Sequence, residues 1–249
     1  MAIPPLCPIM PNQGISNVPE TFAAAYRASP FDGTSSFLLR RLHSLTGLIF
    51  GGYIIVHLVV NATLIQGGRG PDDVYQLQVN KIHALPFLWA VEWVFIYIPI
   101  LFHTVYGVWI IVGGRPNVER YPYAKNYVYL VQRISAVVIA LFLLFHVLGM
   151  KGFWGSALQF VPDDATRSTA RHINSSLWVA YFVYPVGIVA SCFHLANGLW
   201  TAAITWGLTI SAGSQRRWGY VCSAVFVFTL TCGFLALGAA IHDKAILVH

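Results

Sequence analysis

Apolar residues along this chain gather into five long runs parted by short polar breaks. They span about 45–65, 86–112, 128–149, 177–206 and 220–241. Each is about as long as the 20 residues that an α-helix needs to cross a bilayer, and none alternates in the manner of a barrel strand. Backbone groups in lipid must bond within their own segment or in a closed barrel. The runs therefore predict an all-α membrane protein of five spanning helices, the first four forming a bundle. GGRGPDD (67–73), GGRPN (113–117), a polar stretch from Lys151 to Asn174 and SAGSQRR (211–217) read as the connections. Residues 1–36, rich in proline and polar side chains, read as an N-terminal arm, and 37–249 as one membrane domain.

Composition points the same way. Of 249 residues, 57% are hydrophobic and 10% charged, against about 25% charged in soluble domains. The net charge of +6 fits span-flanking cations better than a nucleic-acid partner. Nine of the fifteen Lys and Arg (Arg27, Arg40, Arg41, Arg115, Arg120, Lys125, Arg133, Arg216, Arg217) fall on the N-terminal side of the spans. The positive-inside rule then predicts a cytoplasmic N-terminus and an external C-terminus. Trp89, Trp93, Tyr127, Tyr129, Trp178, Trp206, Trp218 and Tyr220 sit near the expected interfaces as an aromatic belt. Cys7, Cys192, Cys222 and Cys232 form no CxxC or CxxCH motif, which removes the usual signals for zinc, a redox dithiol or covalent haem.

The candidate chemistry lies in four histidines, one in each of the first four runs: His57, His103, His146 and His194. Ionisable groups in spans are costly and mark function. His57 lies 16 residues after Arg41, and His146 lies 13 after Arg133. His103 lies 12 residues before Arg115, and His194 lies 12 before Trp206. At about 1.5 Å per residue, His57 and His146 share an outer level, while His103 and His194 share an inner one. Two histidines facing each other at one level suit the axial positions of a haem iron, so two levels predict two stacked haems. A tight zinc or copper site would want three or four converging ligands.

Other residues take supporting parts. Gly47, Gly51, Gly52, Gly107 and Gly198 lie near the ligands, where they admit a cofactor edge or close helix packing. His43, with Ser44, Arg41 and Arg133, stands at the inner edge and suits haem propionates. Glu92, the acidic residue well inside a span, suits proton exchange with a quinone. Pro99 and Pro185 are expected to kink their helices. His83, His172, His242 and His249 read as solvent-exposed.

The run FLLRRLHSLTG…HLVVN, then LPF…E…FHTVYGV, QRISAVV…FHV and FHLANGLW…TWG resembles the cytochrome b subunit of succinate:quinone oxidoreductases, in the five-helix, di-haem form of menaquinone-using bacteria. The likeness covers about 36–241. It implies haem b bound by His57 with His146 and by His103 with His194. It also implies a flavoprotein and an iron–sulfur subunit on the cytoplasmic side, electron transfer to a quinone (menaquinone for this type) in the bacterial inner membrane, and room for a dimer of complexes. Some fumarate-reducing relatives carry a proton-conducting glutamate two residues before the fourth-helix ligand. Here that position is Cys192, which speaks against that route.

Overall fold

A computed structural model describes residues 33–67, 72–113, 118–119 and 121–242. The chain divides into two compact units, Met1–Leu39 and Arg40–His249. Of the first, residues 33–39 are described, as helix; every other described residue belongs to the second. The arm 1–36 up to residue 32, with Cys7, Arg27, Arg69, Arg115, Arg120 and His249, lies outside the described residues.

Seven helices order the described chain: α1 (Gly33–Ala62), α2 (Val74–His83), α3 (Leu88–Gly113), α4 (Ala124–Met150), α5 (Ala165–Ile173), α6 (Val179–Thr205) and α7 (Ala212–His242). No strand occurs among the described residues. α1, α3, α4, α6 and α7 are long and apolar enough to cross a membrane. Their lipid-facing surfaces carry exposed Val, Leu, Phe and Trp, as a bilayer allows and water would not. SAGSQRR largely belongs to α7, whose helix begins at Ala212 rather than near Tyr220. Arg216 and Arg217 are helical.

Each of the two span prolines follows a widened helical turn. π-helical turns at Trp93–Tyr97 and Val179–Val183 come just before Pro99 and Pro185. Proline removes an N–H and crowds the carbonyl four residues back. Widening that turn relieves the crowding.

α6 packs closely on α4 and α7. α1 meets α3, α4 and α6 through side-chain contacts and through the His43 carbonyl, which accepts from α3. The ends of the bundle differ. At one end, α2 and α5 lie across it as a cap. Asp73 starts α2 by accepting from Gln76 N at 3.0 Å. Gln76 then ties the cap together: its Nε2 donates to Pro162 O and its Oε1 accepts from Ala165 N at 2.7 Å, satisfying a free donor at the start of α5. Asn174 closes α5 and donates to Ala240 O on α7 at 2.8 Å. At the other end lie Arg41, Arg133 and Trp206.

The cap corrects one expectation. His172 is 1% exposed rather than solvated. Its Nδ1–H donates to Leu158 O at 3.3 Å, and its Nε2 is buried with no partner among the described residues. Its ring fills a notch at Gly149, beside Phe145 and Tyr184. Burial holds its pKa below the ordinary histidine value, against a smaller opposing effect of the Leu158 bond. His83 and His242 are exposed.

Candidate functional site

The four span histidines meet in two pairs. His57 on α1 faces His146 on α4, with ring centroids 6.1 Å apart and planes crossed at 76°. His103 on α3 faces His194 on α6 at 6.2 Å and 87°. Two imidazoles sharing one metal ion end to end, at about 2.0 Å per metal–nitrogen bond, place their centroids roughly 6 Å apart. Both pairs therefore have a spacing at which two imidazoles could share a single ion. Among the described residues, no third His, Cys, Asp or Glu joins either pair to complete a compact metal site. The remaining coordination positions would have to come from a cofactor.

Hydrogen bonds leave Nε2 bare on two of the four rings, His103 and His194. His103 Nδ1–H donates to the carbonyl of His43 at 3.0 Å. A carbonyl only accepts, so Nδ1 holds the proton and Nε2 is bare. Ser135 Oγ sits 3.2 Å from His194 Nδ1 while donating its own proton to Gln132 O at 2.9 Å. It must therefore accept from Nδ1–H, and Nε2 is again bare. His146 Nδ1 meets Tyr184 Oη at 3.0 Å. His57 Nδ1 has Tyr53 Oη and Asn61 Nδ2 each at 3.5 Å, and Asn61 is anchored by donating to His57 O at 2.7 Å. The contacts of all four rings fall on Nδ1, and those to the His43 carbonyl and Ser135 fix the tautomers of His103 and His194. This is how proteins fix tautomer and orientation in metal-binding histidines.

The His57–His146 pair lines a cavity of about 100 Å³ between α1, α4, α6, α7 and the cap. Its wall is apolar apart from Asn61, Thr169, Tyr184, Ser191 and Cys192. Tyr75 of the cap reaches Thr169 at 3.3 Å and Asn61 at 3.4 Å, so a polar chain runs from α2 and α5 to His57.

The remaining candidates divide. Arg41 lies over the Trp206 ring at 4.9 Å, and Ser44 accepts from Trp206 Nε1 at 3.0 Å, so these two share one corner of the bundle. Arg133 is elsewhere: it donates to Ile110 O at 3.3 Å and lies over Tyr129. His43 stacks on His103 with centroids 4.0 Å apart. Glu92 is half-buried near the start of α3 and within electrostatic reach of Tyr53, the neighbour of His57. Cys192, 0% exposed, lines the cavity two residues before His194.

Sequence alone does not single out Tyr184, Ser135 or His172. Each acts across a helix boundary, and no spacing along the chain announces that. Tyr53 and Asn61, by contrast, lie four residues either side of His57, on its helix face.

Five apolar helices long enough to span a bilayer, four of them carrying histidines that meet in two pairs, define a multi-pass helical membrane protein. Comparison with known proteins makes this specific. Residues 115–240 match the succinate dehydrogenase/fumarate reductase transmembrane subunit family. The chain is also 32% identical over 210 residues to the succinate dehydrogenase cytochrome b558 subunit of Bacillus subtilis (strain 168), covering 83% of this chain and 98% of that one. The chain belongs to the family of succinate dehydrogenase/fumarate reductase transmembrane subunits.

Proposed function

We propose that this chain is the di-haem b membrane anchor of a succinate dehydrogenase or fumarate reductase, passing electrons between an iron–sulfur subunit and membrane quinone, with menaquinone the expected form. The observation that carries this is the pair of histidine couples at 6.1 and 6.2 Å with every side-chain hydrogen bond on Nδ1. Haem b supplies reversible one-electron chemistry, with its potential set by ligands, burial and hydrogen bonds.

The protein residues take these parts. His57 and His146 hold the outer haem iron; His103 and His194 hold the inner one. Tyr184, Ser135 and the His43 carbonyl orient three of these ligands, and Tyr53 and Asn61 flank the fourth. Arg41, Ser44, His43 and Arg133, at the arginine-bearing end, neutralise haem propionates there. Glu92 exchanges protons with quinone, reaching the outer pair through Tyr53. The arginine-bearing end faces the cytoplasm, by the excess of cations on that side, and receives the iron–sulfur and flavoprotein subunits. The N-terminal arm 1–36 lies on that side, the C-terminus lies outside, and complexes can pair as dimers.

The test is to follow haem absorbance in membranes bearing the assembled complex. Succinate should reduce it, and added menaquinone analogue should reoxidise it. A haem signal unresponsive to both would refute the electron-carrier role.

A further inference from the structure

Contacts from one turn of α1 converge on the imidazole of His103. The His43 carbonyl accepts its Nδ1–H at 3.0 Å. The His43 ring lies against its face, 4.0 Å centroid to centroid and 9° from parallel. Four residues on, and so on the same helix face, Gly47 receives the ring edge: a Cβ there would stand 2.6 Å from Cε1 and 2.7 Å from Nδ1 of His103. The seat is reciprocal. Gly107, one turn after His103, leaves room for the His43 ring, where a Cβ would lie 3.3 Å from Cε1. His43 Nδ1 is buried with no hydrogen-bond partner among the described residues. Stacking on His103 therefore holds the ring without a bond at Nδ1. Among the described residues the other span histidines have looser aromatic neighbours: Tyr53 lies 5.5 Å from His57 at 34°, and Phe142 lies 5.7 Å from His146 at 21°.

Each contact constrains a different freedom of His103. The carbonyl decides which nitrogen is bare. The stacked ring sets the plane of the imidazole. The glycine notch sets how far the ring sits toward α1. Together they hold the 87° crossing of His103 and His194. The angle between axial imidazole planes governs how far the d orbitals of a low-spin ferric ion split, so it is visible spectroscopically.

We propose that His43 and Gly47 are positioning residues that fix the ligand plane, and thereby the electronic state, of the inner metal centre. This rests on the reading that His103 and His194 share one haem iron. It assigns His43 a task on the ligand itself, alongside any contact with a propionate.

The experiment is low-temperature electron paramagnetic resonance of the oxidised full-length chain, with haem quantitation, in unmodified protein and in His43→Phe, His43→Leu, His43→Ala and Gly47→Ala. The unmodified chain should show two low-spin ferric signals of the strongly anisotropic kind that crossed imidazoles produce. His43→Phe keeps a flat ring and the carbonyl, so it should move the inner signal less than His43→Leu does, whatever it does to haem content. His43→Leu fills the volume without a flat face. It and His43→Ala should move the inner signal toward that of coplanar ligands and leave the outer one unchanged. Gly47→Ala should halve the haem content by loss of the inner haem. An unmoved inner signal in His43→Leu, or an equal shift of both signals, overturns this inference while leaving the proposed function intact. Absence of haem from the unmodified chain overturns the proposed function and this inference with it.

Discussion

Tyr184→Phe removes a single oxygen, and its cost can be worked from its surroundings. Tyr184 is 6% exposed. Its ring packs edge-on against Phe142 at 5.5 Å, and phenylalanine preserves that contact. The lost hydroxyl is the hydrogen-bond partner of His146 Nδ1 at 3.0 Å. A buried polar group left unpaired costs about 1–3 kcal/mol. Removing the orienting partner of a metal-bound histidine costs about 10–100-fold in affinity, and at about 1.4 kcal/mol per tenfold the two ranges agree. Ser135→Ala is the matched change at the other pair, since Ser135 accepts from His194 Nδ1. The assay is haem loss from the detergent-purified chain to an excess of a haem acceptor, followed at the absorption of each haem. Tyr184→Phe should weaken one haem by that factor and Ser135→Ala the other. Equal loss of both haems from Tyr184→Phe, or loss at the unmodified rate, would refute the reasoning.

Further outcomes come from the same packing. Gly149→Ala drives a methyl into the His172 ring and to 2.9 Å from Trp154. It should cost about 1–3 kcal/mol by overpacking and lower the thermal midpoint. Gly52→Ala meets nothing within 4 Å and should raise it, by about 0.5–1 kcal/mol of helix propensity. Burial lowers the His172 pKa from 6.5, so the unfolded chain takes up a proton that the fold refuses. Its contribution is complete above about pH 6.5 and declines as pH falls below that, by at most about 1.4 kcal/mol per pH unit. In acid denaturation series His172→Gln should flatten that decline, and an identical slope in variant and parent would contradict the assignment. Glu92→Gln should slow quinone turnover in the assembled complex while both haems remain; unchanged turnover removes its proton role.

Much of this architecture is legible in the chain because lipid imposes a simple rule: five runs of apolar residues become five helices. The pairing of rings can also be counted from flanking residues, since alternate spans run in opposite directions. The cap is harder to see. Ala165, Ser168, Thr169, His172 and Ile173 follow helical spacing and are all buried, yet three of the five are polar. A search for apolar stripes passes over them, and His172 reads as solvated. The Tyr184–His146 and Ser135–His194 contacts are likewise invisible in sequence, because they join residues 38 and 59 positions apart whose register depends on how α6 packs against α4. Gly47 shows as a small residue near the ligands, but only the fold shows that it faces His103 on α3 rather than His57 on its own helix.

The central claim is that two haems lie between these particular pairs. Its most direct test is a reduced-minus-oxidised absorption spectrum with haem quantitation on the purified chain, repeated with His57, His103, His146 and His194 each changed to alanine. The account predicts two b-type haems in the unmodified protein. His57→Ala and His146→Ala should disturb one, and His103→Ala and His194→Ala the other. A colourless unmodified protein, or variants that cross these pairs, would contradict it.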